Sequence, residues 1–238
     1  MRILISAGGT YESIDDVRTI KNKSTGRLGQ LIADSFQDEA VIVDYVHGED
    51  ALLPTYNANL FPVKDVRDLE QTLRNLLESH AYHAVILAMA VSDYEVYSVT
   101  NIDQLTEKLE NKSKDEVRDV LEHYQEDFNR FDKIPSDHDD LVVMMRKAPK
   151  IIEMVKRIQK DTILVGFKLL VDTAKEDLFK EAHKIMDRND CDYVLANNLK
   201  DISGDRHKGY LVQRDLSYQV YYTKQEIANA IRERIMLI

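Results

Sequence analysis

The chain has 238 residues, of which 44% are hydrophobic and 31% charged, and it carries a net charge of −10 at pH 7. That length suits one large α/β domain, or one domain with an excursion. No apolar run approaches the length of a membrane-spanning helix, and the acidic balance argues against a nucleic-acid surface, which needs a basic face.

The N-terminal segment lacks the apolar core and small-residue cleavage site of a signal peptide, and the single cysteine, Cys191, has no internal disulfide partner. A reducing cytoplasm is the expected setting. Cys191 lies in the apolar run 191–196 and reads as a small buried residue rather than a nucleophile. No Cys/His cluster has zinc-ligand spacing, and no metal-ligating residues are assigned.

Taken in chain order, residues 2–6 form an apolar run that reads as a buried strand ending in Ala7-Gly8-Gly9-Thr10. Residues 20–29 read I-K-N-K-S-T-G-R-L-G and open an apolar-periodic helix over 28–36. Of the 8 glycines, Gly8, Gly9, Gly26 and Gly29 fall in these two turns. A strand that ends in glycines, followed by a Ser24-Thr25-Gly26 loop at a helix N-terminus, suits an anion. Exposed backbone N–H groups and the positive end of the helix dipole both favour phosphate there. The usual phosphate motifs fail: there is no G-x-x-x-x-G-K-[ST], and Gly8-Gly9-Thr10 breaks the G-x-G-x-x-G spacing. On local pattern alone, glycines that merely permit positive φ in a tight turn remain the competing reading.

Further along, strands are predicted at 40–46, 60–62, 84–91, 162–167 and 193–196, and helices at 66–80, 149–159, 175–189 and 224–236. The alternation indicates a mostly parallel sheet with helices on its faces. The run A-V-I-L-A-M-A-V over 84–91 is apolar on both alternations, as in a central strand covered on both sides. Residues 210–214 and 217–223 read as a hairpin turning at Asp215-Leu216, although Asp-Leu is not a favoured two-residue turn. Residues 95–132 break the rhythm with eleven acidic residues against five basic ones. Leu105, Leu109, Val117, Val120, Leu121 and Phe128 fall there at helical spacing, which predicts one or two amphipathic helices projecting from the sheet edge. That segment is either a solvated decoration or a lid or subunit contact. The fold expected is therefore α/β and Rossmann-like, three-layered, with a mostly parallel sheet, a helical insertion and a C-terminal hairpin, all within one domain.

In such a sheet ligands sit beyond the carboxyl ends of the strands. The marked segments 7–10, 90–94, 166–168 and 197–198 all fall at those ends. Their convergence predicts a crevice lined by main-chain groups and a few polar side chains. The histidines show no pairing that suggests a triad and read as surface or structural.

Residues 5–29, I-S-A-G-G-T-Y-E-S-I-D-D-V-R-T-I-K-N-K-S-T-G-R-L-G, resemble the signature of phosphopantothenoylcysteine synthetase, the phosphopantothenate–cysteine ligase of coenzyme A biosynthesis. A-M-A-V-S-D-Y (88–94), Lys133-Ile134, V-G-F (165–167) and V-L-A-N (194–197) resemble further motifs of that family in the same order. The resemblance implies that 4′-phosphopantothenate is activated by a nucleoside triphosphate with Mg²⁺, and that the acyl nucleotide is then captured by cysteine. It also implies a homodimer. CTP is favoured over ATP, because V-G-F and the compact length look bacterial, although Ser136 and Lys168 resemble the eukaryotic pattern.

By the same resemblance Lys133, Arg18 and Asn22 are the catalytic candidates. Gly8, Gly9, Thr10, Ser24, Thr25, Gly26, Ala90, Asp93, Phe167, Lys168 and Asn197 would line the substrate and nucleotide sites. The chemistry suits them. A lysine before Pro135 belongs to a loop and can meet charge developing on a phosphate. A guanidinium grips phosphate bidentately, and an amide can both donate to an acyl carbonyl and accept from an amine. Structural readings stand beside these: Arg18 pairs Asp15, Asn22 caps a turn, and Asp93 either caps the next segment or orients Mg²⁺ or the ammonium of cysteine. Two rivals are an NAD(P)-dependent reductase, against which the missing G-x-x-x-G-x-G and Y-x-x-x-K speak, and a non-catalytic nucleotide-binding module.

Overall fold

The computed structural model describes residues 1–37, 40–124 and 133–237. In chain order they form β1 (Arg2–Ala7), β2 (Tyr11–Ser13), β3 (Thr19–Lys21), α1 (Arg27–Ser35), β4 (Ile42–Gly48), β5 (Asn59–Val63), α2 (Val66–Ser79) and β6 (Ala84–Leu87). After these come β7 (Tyr94–Thr100), α3 (Ile102–Leu109), α4 (Lys114–Glu122), β8 (Val142–Lys147), α5 (Ile152–Ile158) and β9 (Ile163–Leu170). The chain closes with α6 (Lys175–Asn189), β10 (Tyr193–Ser203), β11 (Arg206–Gln213), β12 (Tyr218–Thr223) and α7 (Lys224–Met236).

Eight strands make one sheet in the order β12-β11-β10-β9-β6-β1-β4-β5. From β5 to β10 across that order all pairs are parallel, and only β11 runs the other way, paired antiparallel with both β10 and β12. The connections reverse direction between β1 and β6: the chain leaves β1 toward β4 and β5, then returns to β6 on the other side. Such a switch point opens a crevice at the strand ends.

Alternate side chains sort the core into two layers. Ile3, Ile5, Ala84, Ile86, Val165 and Leu195 face α1 and α7, where Ile32, Phe36, Ile227 and Ile231 meet them. Leu4, Val85, Leu164 and Val194 face the opposite layer, built from Leu69 and Leu73 of α2, Met154 and Val155 of α5, and Ala182 and Met186 of α6. Both faces of the central strands are thus dry, which is why their sequences read as continuous apolar runs. The helix α1 lies close against β1 because its third residue is Gly29; a Cβ there would collide with that of Ala7. Cys191 is fully buried in the second layer, and burial pushes its thiol up to about 12, as befits an inert core residue.

Three predictions need correction. The strand predicted over 84–91 ends at Leu87, because residues 88–91 turn to bridge the end of β1. The segment after Asp93 is not purely helical: Tyr94–Thr100 pairs antiparallel with Val142–Lys147 as a separate two-stranded ribbon. It is this ribbon that carries α3 and α4, and these two helices contain Leu105, Leu109, Val117, Val120 and Leu121. Phe128 and the rest of 125–132 lie outside the described residues. The C-terminal hairpin is present but longer than predicted, with Leu216 at φ 66° in its turn and Leu216 N donating to the Gln213 carbonyl.

The ribbon is fastened to the body by charge and by a small core. Glu95 is buried and accepts from Arg67 of α2 at 2.7 and 2.8 Å and from Arg146 of β8 at 2.9 Å, which holds its carboxyl below the usual range. Val96, Val99 and Ile134 form the core of this excursion, with Ile14 packed against it.

Candidate active site

The ends of β1 and β6 are stitched together. Ala90 N donates to the Gly8 carbonyl at 2.8 Å, and Thr10 N donates to the Ala90 carbonyl at 3.2 Å. Gly8 holds φ +86°, and a Cβ there would stand 2.6 Å from that of Ala51. No other residue suits that turn. Asn22 arrives at the same junction: its backbone N donates to Thr10 O at 3.3 Å and its side-chain Nδ2 to Ala90 O at 3.2 Å. Gly8, Gly9, Thr10, Asn22 and Ala90 therefore meet at one junction, with Gly8, Gly9 and Thr10 buried and Asn22 and Ala90 half-buried. The Asn22 side chain thus ties the end of β3 to Ala90 rather than capping a local turn, and none of these five residues lines the cleft on the α5–α6 side.

The Ser24-Thr25-Gly26 loop leads into α1 with Gly26 left-handed and no side-chain cap on the helix N-terminus. Its support comes from the loop after β4, unmarked in the sequence reading. Leu52 N donates to Thr25 O at 3.0 Å, and Lys21 pairs with Asp50. The position of that loop at a strand's carboxyl end was the available signal.

Lys133 is exposed, and its place is set by its neighbour. Ile134 is buried, its N donates to Asp15 Oδ2 at 3.1 Å, and its carbonyl accepts from Arg18 Nη2 at 3.1 Å. Asp15 is itself buried and also accepts from Val17 N at 2.9 Å, Arg18 N at 2.7 Å and Arg18 Nε at 2.9 Å. The Arg18 guanidinium, with these backbone donors, holds the Asp15 carboxyl well below the usual carboxylate range. Arg18 thus pairs with Asp15, which was one of its two readings, and its side chain stays 40% exposed. The pair clamps the Lys133 loop onto the β2–β3 hairpin.

On the α5–α6 side of the strand ends lies a cleft of about 420 Å³ lined by Met89, Ser92, Asp93, Lys150, Phe167 and Lys168, among others. Asp93 is exposed; its Oδ1 accepts from Lys150 Nζ at 2.5 Å and its carbonyl accepts from Ala148 N at 2.9 Å. Lys168 forms no ion pair among the described residues, whereas Lys150 does with Asp93 and Lys184 with Glu181. The Phe167 side chain packs toward the α1–α7 layer. Asn197 is buried in β10, and its neighbour Asn198 ties the loop at 172–173 through Asp172 N and the Thr173 carbonyl, each at 3.0 Å. Lys168 and Asn197 lie on neighbouring strands, whose register sets Lys168 opposite Ala196 and Asn197 opposite Leu169; Lys168 lines the cleft and Asn197 does not. Among the described residues, no three His, Cys, Asp or Glu side chains gather to hold a metal ion. His207, buried and with its imidazole pushed down to about 4, is neutral and structural.

A mostly parallel sheet with a glycine-bordered loop at its switch point defines a Rossmann-like α/β fold. The chain belongs to the DNA/pantothenate metabolism flavoprotein C-terminal domain family, which residues 1–126 and 121–238 match. The resemblance to phosphopantothenoylcysteine synthetases read from the motifs holds at this level. The chain is 30% identical over 235 residues to the coenzyme A biosynthesis bifunctional protein CoaBC of Thermococcus kodakarensis, covering 98% of this chain and 50% of that protein. It thus spans about half the length of the curated relatives it matches. Among solved structures, the DNA/pantothenate metabolism flavoprotein from Streptococcus pneumoniae superposes with a TM-score of 0.84 at 31% identity, over 100% of this chain and 99% of that one. The fold is also that of a Cab2 mutant in complex with phosphopantothenate-cysteine, with a TM-score of 0.72 at 18% identity, over 99% of this chain and 85% of that one.

Proposed function

We propose that this chain is a phosphopantothenate–cysteine ligase that works through an acyl nucleotide. The carboxylate of 4′-phosphopantothenate attacks the α-phosphate of CTP, an acyl–O–P bond forms, and pyrophosphate leaves. The amine of cysteine then attacks the acyl carbon, the acyl C–O bond breaks, and CMP leaves as the amide forms. Two observations carry this reading: Asn22 bonds Ala90 beside the glycine turn at the switch point, and Asp15 holds the Lys133 loop to the β2–β3 hairpin that follows that turn. The coenzyme A role of the relatives and the ligand of the Cab2 complex supply the substrate class.

In this reading the Ser24-Thr25-Gly26 loop takes phosphate on backbone N–H groups, and Lys133 meets the charge that develops on the α-phosphate. Arg18, beyond its bond to Asp15, turns its exposed guanidinium edge to phosphate. Asn22 orients the acyl group toward the amine. Phe167, Lys168 and Asn197 border the bound substrates, and Asp93 receives the ammonium of cysteine in exchange for Lys150. Mg²⁺ arrives with the nucleotide, held by phosphate oxygens and water. The protein's share of the rate is orientation and electrostatics, so no covalent enzyme intermediate is needed. The active assembly is a homodimer in the cytoplasm, and the ribbon-borne insertion is a lid or subunit contact.

Incubation with 4′-phosphopantothenate, cysteine and CTP, followed by mass spectrometry, tests the overall reaction. The amide and CMP should appear in equal amounts. Consumption of nucleotide without the amide would reject it.

A further inference from the structure

Asn189 is the last residue of α6, lines the cleft on the α5–α6 side and is 8% exposed. Its Nδ2 donates to the Ile185 carbonyl at 2.8 Å. Its Oδ1 is buried and accepts no hydrogen bond among the described residues. The bond to Ile185 fixes which way the amide lies. Turned over, the amide would set its oxygen against the carbonyl oxygen. The free group in the cleft wall is therefore an acceptor. Buried polar groups are ordinarily paired, so this one calls for a donor.

The cations nearest in the cleft are committed elsewhere. Arg188 pairs with Glu153 at 3.1 Å, Lys184 with Glu181 at 2.5 Å and Lys150 with Asp93 at 2.5 Å. The walls between these pairs are apolar. A Cβ at Gly166 of β9 would stand 3.3 Å from Ile152 of α5 and 3.6 Å from Ile185 of α6, so both side chains close on bare backbone. Glu181, Lys184, Ile185, Arg188 and Asn189 all line the cleft and are spaced as one face of α6. Because β9 and β10 are parallel, the helix between them runs back the other way. From the Gly166–Ile185 contact, Lys168 lies two residues toward the carboxyl ends of the strands, and Asn189 lies four residues in the opposite direction. Strand and helix rises then separate Lys168 from Asn189 by roughly 10 Å along the cleft.

We infer that the Asn189 carboxamide oxygen selects the base of the nucleotide, by accepting from the exocyclic amino group of cytosine or adenine and opposing the carbonyl that uracil or hypoxanthine carries in its place. This deepens the ligase reading above and rests on it for the presence of a nucleotide. Phosphates held at the strand ends lie beside Lys168, which forms no ion pair among the described residues. The base then extends down the cleft toward Asn189. Ile152 and Ile185 offer its ring apolar contact, and one buried acceptor supplies the selectivity, as in small-molecule sites with apolar walls and few polar groups. An amino N–H satisfies Oδ1. A carbonyl there sets oxygen against oxygen and leaves both without a donor.

The test measures calorimetric binding and pyrophosphate release with CTP, UTP, ATP and inosine triphosphate in the wild type, Asn189→Leu and Asn189→Ala. Leucine keeps the size of the side chain and removes the acceptor. Both variants also lose the bond to Ile185, so the readout is the ratio between bases within one protein, which a general loosening of α6 leaves unmoved. The wild type should bind CTP roughly 10- to 100-fold more tightly than UTP, and ATP more tightly than inosine triphosphate by a similar factor. Both ratios should fall toward one in the variants. A wild type that binds UTP as well as CTP overturns the inference, and so does a folded variant that keeps the ratio. Weaker phosphopantothenate binding with an unchanged base ratio would assign Asn189 to the acid and overturn it too. Nuclear magnetic resonance of the wild type needs neither variant nor turnover: the Asn189 side-chain amide signals should shift with CTP far more than with UTP, and equal shifts overturn the inference. If Asn189 selects CTP in binding but no pyrophosphate is released, the ligase reading fails and the base selection stands.

Discussion

Ile134 N donates to the buried carboxylate of Asp15 across 119 residues of sequence, at 3.1 Å. This bond, with the return bond from Arg18 to the Ile134 carbonyl, fixes where Lys133 stands relative to the glycine turn. Replacing Asp15 with Asn removes the charge that both Arg18 and Ile134 N address. Activation of the acid should fall roughly 10- to 100-fold, as small displacements of a positioned group do. The folded-state carboxyl is depressed, so its contribution to stability is present above its unfolded value of 3.8 and is lost as pH falls through the folded value. Asp15→Asn should therefore be less stable than the wild type at pH 7, with the gap closing below about pH 4. Acid and neutral urea titrations measure this; an equal gap at both pH values contradicts it.

Lys133→Ala should lower acyl-nucleotide formation by roughly 10²- to 10³-fold, the usual loss when one transition-state contact is removed. Lys133 is exposed, so the fold should be untouched. Circular dichroism and pyrophosphate release, read together, check both halves. Near-normal release by a folded variant removes Lys133 from the mechanism.

Asn22→Asp should slow amide formation more than activation. Its Nδ2 bond to the Ala90 carbonyl would be replaced by oxygen facing oxygen, and the new carboxylate would repel phosphate. Single-turnover measurements of each half-reaction decide. Equal losses in both would reduce Asn22 to a folding or general binding residue.

The C-terminal hairpin ends the sheet, and β12 has a neighbour on one side only. Tyr218 and Tyr222 on it are exposed. An uncovered edge with large apolar side chains invites pairing, and two-fold symmetry satisfies it. Light scattering at micromolar concentration should return twice the 27.5 kDa chain mass. Lysine at Tyr222 should shift the protein toward monomer. A dimer that this change leaves intact contacts elsewhere.

Elements with a sustained period were legible in the sequence. The helices predicted over 175–189 and 224–236 are α6 and α7 at the same bounds, and β1 differs by one residue. The ribbon strand β7 was hidden because a buried charge, Glu95, interrupts its apolar pattern and its partner β8 comes some forty residues later. In the site, the glycine turn, Asn22 and the 88–94 strand end were readable as motifs. Their contact, Asn22 Nδ2 to Ala90 O, spans 68 residues and is a property of the folded sheet. Asp15 was visible only as a partner for Arg18. That it also holds Ile134 depends on Ile134 being wedged into the small core with Val96 and Val99, which no local pattern encodes.

The central claim is that the acid is activated on a nucleotide before the amine takes part. Pyrophosphate release measured with CTP and with ATP, with and without 4′-phosphopantothenate and before any cysteine is added, tests it most directly. Release should require both nucleotide and phosphopantothenate, should be faster with CTP, and should reach about one equivalent per site as the acyl nucleotide accumulates. Release without phosphopantothenate, or none until cysteine is present, would contradict an acyl-nucleotide ligase.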